Sequence, residues 1–201
     1  MGFTICYPLY KGLYINLTNR CTNRCDFCIR NNPDGISKGL DLWLDREPTA
    51  EEIVTDLKKY DISKFSEVVF CGYGEPFLKL DEIIEVSRFI RSISDVIIRV
   101  NTNGQANLYF GQDVTYRLEG LVDVCSISMN ASSATEYQKI CHSQYGQKAF
   151  DAMIDFAKSC KKHVEKVLFT VVDVLEVDEI KKCSEIAKNA GVDFRVRQMI
   201  D

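Results

Sequence analysis

The sequence predicts a single α/β domain built on a sheet of parallel strands. Short runs rich in β-branched residues alternate six times with longer amphipathic stretches, which is typical of parallel strands joined by helical crossovers. The length of 201 residues and the apolar fraction of 46% suit one hydrophobic core. No stretch rich in Pro, Gly or Ser divides the chain, and no internal repeat is present. We therefore interpret residues 1–201 as one domain.

The order of the elements follows from the period of the apolar residues. Strands are predicted at 14–18, 67–71, 96–101, 122–129, 166–172 and 194–199. Helices are predicted at 49–60, 81–93, 111–119, 134–141 with 147–163, and 178–190. Capping boxes are predicted for Thr49 with Glu52 and for Ser133 with Glu136, and Gly191 is placed to end the last helix. The pattern leaves a flat doubly wound sheet and a curved partial barrel open, and both place functional loops at the carboxyl ends of the strands.

Charge and hydropathy exclude several classes of partner. Lys and Arg number 25 against 29 Asp and Glu, and no dense basic run is present, so nucleic-acid binding is not predicted. No apolar stretch approaches the roughly 20 residues that span a bilayer. The N-terminus lacks the basic and apolar regions of a secretory signal. We expect a cytoplasmic protein that binds no membrane.

Cysteine usage points to a metal centre. The chain has nine cysteines, and three of them, Cys21, Cys25 and Cys28, lie within eight residues after the first predicted strand. A structural zinc site needs four ligands, usually from two pairs, and here there is no second pair, although Cys71 at the end of the second predicted strand could supply a fourth sulfur. Three thiolates suit a [4Fe–4S] cluster with one iron open to another ligand. We favour the cluster, with zinc and purely structural thiols as alternatives.

Two motifs carry a resemblance to a known family. The cysteine spacing, with Phe27 directly before the last cysteine, resembles the signature of the radical S-adenosylmethionine (SAM) superfamily. The stretch 71–76, Cys-Gly-Tyr-Gly-Glu-Pro, resembles the Gly-Gly-Glu-Pro motif that follows the second strand there, although Tyr73 departs from it. The resemblance covers nearly the whole chain and implies a partial (β/α)6 barrel. Stretches 12–21, 42–49 and 70–76 more narrowly resemble the short TatD-associated radical SAM proteins.

The resemblance also implies cofactors and partners. Cys21, Cys25 and Cys28 would hold the cluster, and SAM would chelate the open iron through its amino and carboxylate groups. Reductive cleavage would give methionine and a 5′-deoxyadenosyl radical that abstracts hydrogen from an unidentified substrate. The implied partners are an electron donor such as flavodoxin or ferredoxin and, through the narrower group, a TatD-like hydrolase.

Residues near the motif are candidates for binding SAM. Glu75 is predicted to accept a hydrogen bond from the SAM ammonium group. Gly72 and Gly74 would permit close backbone approach to the methionine moiety, although an ordinary turn would use them equally well. Phe27 is predicted to lie beside the adenine.

Polar residues at later strand ends extend this prediction. Thr102 and Asn103 precede Gly104 and either line the pocket or only form a turn. Alternation in the fourth predicted strand places Ser126, Ser128 and Asn130 on one face, and Ser128 matches the ribose-contacting position of the superfamily. Met199 resembles the position that touches adenine in some members of the superfamily, with an ordinary core methionine as the alternative.

Three features remain open at this level. Arg195 and Arg197 share a face of the last strand and either line a cavity or form a solvated edge. The cluster loop, 18–30, runs into a long irregular segment, 29–47, that we interpret as a lid carrying the only tryptophan, Trp43. The alternatives are a cover supplied by the substrate or by a second copy of the chain, and a surface loop whose Trp43 only packs on the first helix. The competing function is an iron–sulfur protein that only transfers electrons or senses redox state.

Overall fold

Seven strands and six α-helices form within residues 4–31 and 40–198, the parts of the chain that the computed structural model describes. The strands are β1 (Cys6–Leu9), β2 (Gly12–Ile15), β3 (Glu67–Phe70), β4 (Ile97–Thr102), β5 (Val124–Ser128), β6 (Lys166–Val172) and β7 (Asp193–Arg197). The helices are α1 (Ala50–Leu57), α2 (Leu80–Ile93), α3 (Ala106–Phe110), α4 (Ala134–Cys141), α5 (Lys148–Cys160) and α6 (Val177–Ala190).

The order of the strands decides between the two architectures that the sequence left open. All seven lie in one sheet in the order of the chain, with β1 antiparallel to β2 and every later pair parallel. A doubly wound sheet reverses its strand order once, and this sheet does not. Crossovers of one hand between consecutive neighbours place the helices on a single face. The sheet is therefore wound in one direction, as in an open, partial barrel.

The two faces of the sheet have different neighbours. The larger core lies between the helices and alternate strand residues such as Ile15, Phe70, Val100, Ile127 and Phe169. A smaller cluster lies on the opposite face and contains Tyr7, Tyr14, Leu42, Val69 and Tyr73. Since neighbouring residues of one strand belong to different clusters, the alternation separates a helix-covered face from a concave inner face.

Two elements differ from the prediction. The antiparallel strand β1 was not predicted, because it is only four residues long and is stabilised by its pairing with β2. The helix predicted at 111–119 is wrong: α3 ends at Phe110, Gly111 has a φ of +67°, and a 3-10 helix follows at Thr115–Leu118. A left-handed residue ends a helix rather than starting one, so this glycine is a stop signal.

The predicted caps are largely confirmed. Thr49 and Glu52 form the reciprocal capping box of α1. Ser133 accepts the hydrogen bond of Glu136 N at the start of α4, which is half of the predicted box. Gly191 ends α6 with a φ of +68°. None of the helices in the described residues is long and apolar enough to cross a bilayer.

Candidate functional site

The predicted site residues meet at the carboxyl ends of β2 to β5. The three-cysteine loop follows β2, and the stretch around Glu75 follows β3. Thr102 ends β4 and Ser128 ends β5. Loops at this edge of parallel strands are the usual place for a binding site. The structure therefore brings together in space what the sequence places in four separate segments.

The three cysteines have free thiols and are each partly exposed. Burial raises the pKa of Cys21 to about 12 and also raises that of Cys28. Among the described residues, no three His, Cys, Asp or Glu side chains converge as the ligands of one ion do. Cluster cysteines need not converge in this way, because each one binds a different iron. The free thiols at the carboxyl edge of the sheet thus fit the donor set of a [4Fe–4S] cluster.

The end of α4 holds the cysteine loop in place. Arg24 N donates to Cys141 O at 2.9 Å, and Asp26 N donates to the neighbouring Ile140 O at 3.0 Å. A hydrogen bond with Cys141, together with burial, raises the pKa of Cys25 well above its usual range. The thiol of Cys141 therefore lies directly behind the middle cysteine of the triplet.

A buried network of side-chain hydrogen bonds also holds the cysteine loop. Asn23 Nδ2 donates to the Tyr137 hydroxyl at 2.9 Å, and Gln105 Nε2 donates to Asn23 Oδ1 at 2.8 Å. Ser143 Oγ donates to Gln105 Oε1 at 3.1 Å. Buried polar groups that satisfy one another in this way specify one conformation. These residues were not predicted from the sequence, because they come from three distant segments and form no motif.

Arg30 was also missed, although it lies only two residues after Cys28. Its charge lowers the pKa of all three cysteines, against the larger effects that raise them. Its guanidinium Nη2 donates to Asn23 O at 3.4 Å. A fixed cation therefore lies beside the triplet and favours its thiolate forms.

Gly72 and Gly74 pack against the cysteine loop. A Cβ atom on Gly74 would lie 2.3 Å from Thr18 O and 2.5 Å from Arg20 O. A Cβ atom on Gly72 would lie 2.0 Å from Asn16 Oδ1. An added Cβ atom at Gly74 would force backbone to move, and one at Gly72 would force the buried Asn16 side chain to move. The close approach is thus made to the residues around β2 and the cysteine loop, a role that differs from the predicted contact with methionine.

Glu75 connects β3 to β4. Its Oε1 accepts from Phe77 N at 3.1 Å and from the Thr102 hydroxyl at 2.7 Å, and its Oε2 accepts from Asn103 N at 2.7 Å. The residue is only 4% exposed, and burial raises its pKa from 4.5 to about 7. Both oxygens already hold protein donors, so one function of this carboxylate is to order the end of β4.

Asn103 continues this connection to the cysteines. Its Nδ2 donates to the Thr22 hydroxyl at 2.7 Å and lies 3.9 Å from Cys21 Sγ. Its Oδ1 accepts from Gln105 N at 3.0 Å, in the turn that Gly104 completes with a φ of +75°. The turn at this strand end therefore exists, and its asparagine contacts the first cysteine. The predicted part of Thr102 and Asn103 in a ligand pocket stays a prediction.

The end of β5 presents polar groups without protein partners. The hydroxyls of Ser126 and Ser128 form no hydrogen bond within the part of the chain that the structure describes. Asn130 is buried with a φ of +58°, and its Oδ1 has no partner there. Its Nδ2 lies 4.0 Å from Cys141 Sγ, next to the cysteine loop. An unpaired buried acceptor is costly, so this edge fits a ligand that donates hydrogen bonds.

The remaining predicted residues have fewer contacts that relate them to the candidate site. Phe27 is partly buried against the main core. Met199 lies outside the described residues, as does 32–39 of the predicted lid. Trp43 is 47% exposed and packs edge-to-face on Tyr73, with ring centroids 5.1 Å apart. Leu42 beside it is fully buried, and its carbonyl accepts from Asn16 Nδ2 at 2.7 Å. The segment around Leu42 is therefore anchored to the concave face.

The pKa of Glu75 predicts a pH dependence of stability. Because the native carboxyl has a pKa of about 7 instead of 4.5, its protonated form stabilises the fold below about pH 4.5. This contribution is lost as the pH rises through 7 and amounts to on the order of 3 kcal/mol. Urea unfolding of the cluster-free protein at pH 5 and pH 8 should show the loss in the wild type and much less of it in Glu75→Gln. An equal change in both proteins would contradict the assignment.

Comparisons with known proteins agree with this fold and identify a family. The model of the radical SAM superfamily matches residues 15–187. A GTP 3′,8-cyclase from Aquifex aeolicus (strain VF5) is 26% identical over 193 residues, covering 95% of this chain and 57% of that protein. The chain thus spans less than two thirds of this relative.

Solved structures share the fold at low identity. A radical SAM methyltransferase from Sphaerobacter thermophilus superimposes with a TM-score of 0.64 and 16% identity, covering 93% of this chain and 66% of that one. Streptococcus suis SuiB, solved with S-adenosylmethionine bound, gives 0.63 and 15%, covering 92% of this chain and 38% of that one. These likenesses confirm the predicted α/β fold with its partial barrel.

Proposed function

The chain belongs to the radical SAM superfamily, and on that premise we propose that it binds one [4Fe–4S] cluster and cleaves SAM reductively. Cys21, Cys25 and Cys28 would hold the cluster, and hydrogen abstraction from a substrate would follow. When bound, the reduced cluster would supply the electron that cleaves a C–S bond of SAM, which gives methionine and a 5′-deoxyadenosyl radical. The supporting observation is the set of three free thiols on the loop after β2. Cys141, which acts on Cys25, lies 4.0 Å from Nδ2 of Asn130, whose Oδ1 has no partner in the described residues.

The chain's own residues would bind and orient SAM. Ser128 and Asn130 offer a hydroxyl and an amide oxygen to the ribose, and both lack protein partners in the described residues. Glu75 would accept from the ammonium group with the lone pair that Asn103 leaves free on Oε2. Thr102 and Asn103 would shape the pocket wall through their bonds to Glu75. Gly72 and Gly74 hold the two loops together, and Phe27 and Met199 would lie near adenine.

Buried acceptors and fixed backbone groups suit this task because they need not reorganise when the ligand arrives. The carboxylate of Glu75 and the amide of Asn103 are held by other protein groups before SAM binds. The network of Asn23, Gln105 and Tyr137 fixes the loop that presents the cysteines. Preorganised polar groups bind and orient a reactant more effectively than mobile ones.

We further propose an electron donor, a partner protein and a cover for the site. An electron donor such as flavodoxin or ferredoxin would reduce the cluster, in the cytoplasm. From the resemblance to the TatD-associated group we propose a functional link to a TatD-like hydrolase. The predicted lid, 29–47, would cover the mouth through its anchored part around Trp43, which packs on Tyr73.

Formation of 5′-deoxyadenosine tests the proposal directly. Anaerobically reconstituted protein is incubated with SAM and dithionite, and the nucleoside is measured by chromatography. We expect formation well above that of Cys28→Ala prepared in the same way. Formation no greater than in this variant, at full iron content of the wild type, would favour the competing function of electron transfer or redox sensing.

A further inference from the structure

Basic side chains collect on the concave face, opposite the helices. Arg99 on β4 and Arg195 and Arg197 on β7 occupy alternate strand positions that point away from the main core. A cavity of about 500 Å³ opens on this face and includes Arg99 and Arg195 in its lining. Carboxylates on the same lining are Glu67 and Asp193.

Glu67 neutralises only one of these cations. Its two oxygens accept from Arg99 Nη2 at 2.7 Å and from Arg99 Nε at 2.8 Å, a bidentate pair. Arg99 Nη1 also donates to Asn101 Oδ1 at 2.8 Å. Asp193 lies 3.8 Å from Lys166. Glu67 and Asp193 are therefore each paired with a cation other than Arg197.

Arg197 has no such partner. No ion pair involves it in the described ranges, and its Nε is buried without a hydrogen-bond partner there. Burial and the nearby charges of Arg195 and Arg99 lower its pKa. A half-buried guanidinium beside like charges is unfavourable unless an anion compensates it.

The position of Arg197 relates it to the candidate site. Its charge acts on Cys71, the residue that follows β3 and begins the stretch leading to Glu75. Burial raises the pKa of the Cys71 thiol, and the side chains of Asn101, Arg99 and Arg197 act against this rise. Arg197 is the last residue of β7, so it lies at the same carboxyl edge of the sheet as the cysteine and Glu75 loops. A molecule bound there would lie between the site mouth and the cavity.

We infer that the concave face binds an anionic group of the substrate, a carboxylate or a phosphate, on the guanidinium of Arg197. This inference rests on the proposed function, because it names the chemical class of the substrate. Guanidinium groups bind both oxyanions through paired N–H donors. Asn101 and the Ser126 hydroxyl on the same face of neighbouring strands offer further polar contacts.

Anion binding can be measured without radical chemistry. The reconstituted protein is loaded with SAM, without a reductant, and titrated calorimetrically with inorganic phosphate and with succinate at constant ionic strength. We expect one of the two anions to bind the wild type, with Arg197→Gln weakening it at least about tenfold and Arg197→Lys weakening it less. Arg88→Gln, an exposed position on α2, is the matched control and should bind as the wild type does.

Each other result would overturn the inference. The first is that neither anion binds the wild type, or that Arg197→Gln binds as tightly as the wild type. The second is an equal loss of SAM affinity in Arg197→Gln, because the recognised anion would then be the SAM carboxylate. The third is a lower urea midpoint of Arg197→Gln in the absence of anions, because it would show that Arg197 has a structural partner. Formation of 5′-deoxyadenosine is measured separately, so failure here leaves the proposed function standing.

Discussion

Replacing any one of Cys21, Cys25 or Cys28 by Ala is expected to remove most of the iron that the protein binds after anaerobic reconstitution. We expect about four irons per chain in the wild type, because one [4Fe–4S] cluster is proposed. Each variant removes one of the three protein thiolates that would hold the cluster, and we expect the cluster to dissociate as a result. Iron analysis and the broad absorbance near 400 nm measure the result, and SAM cleavage should be lost in parallel.

Two other cysteines serve as matched controls for this prediction. Cys183 is buried in α6, and Cys71 lies on the concave side beside Asn101 rather than in the cysteine loop. Cys183→Ala and Cys71→Ala should both retain the iron of the wild type. Iron loss in Cys71→Ala as large as that in the triplet variants would identify a fourth protein ligand. It would leave no open iron for SAM and would refute the proposed mode of binding.

Substituting Gly74 by Ala should have the second largest effect, on stability as well as on the cluster. The added methyl carbon would lie 2.3 Å from Thr18 O, inside the backbone of the cysteine loop. Backbone cannot move aside as the end of a side chain can, so the two loops must separate. We expect a loss of about 3 kcal/mol in the free energy of unfolding. Iron binding should fall as well, because the loop carries all three cysteines.

Gly120→Ala is the appropriate control for Gly74→Ala. Gly120 has a φ of +70°, but no atom of the described residues lies within 4 Å of the position that an added methyl carbon would occupy. Its substitution therefore costs only backbone strain, about 1 kcal/mol. Urea unfolding of the two variants separates packing from strain. If Gly74→Ala is no less stable than Gly120→Ala, the loops do not depend on this close approach.

The proposed role of Glu75 would combine ligand binding with its structural hydrogen bonds in one side chain. Its carboxylate orders Thr102 and Asn103, and Asn103 in turn reaches Thr22 beside the first cysteine. A variant at Glu75 should therefore affect the strand end as well as any ligand. The pH dependence predicted above isolates the titration of the carboxyl itself. Loss of SAM affinity in Glu75→Gln would report the sum of both functions.

Local features of this protein were determined by the sequence. The cysteine spacing identified the candidate metal centre, because ligands of one cluster on one loop need only a short segment. Thr49 with Glu52 and the stop at Gly191 depend on hydrogen bonds within a few residues, and both occur as predicted. The alternation of strands and helices likewise predicted the fold class, since it depends on the period of apolar residues along the chain.

Only the tertiary structure decided which features lie together. The choice between a doubly wound sheet and one wound in a single direction depends on strand order, which local periodicity does not contain. The network of Asn23, Gln105, Tyr137 and Ser143 joins segments more than 30 residues apart. The need for glycine at 72 and 74 arises from Asn16 and Thr18, far away in the chain. These features are long-range contacts, and their free energy exists only once the strands have paired, so no short segment of the sequence reveals them.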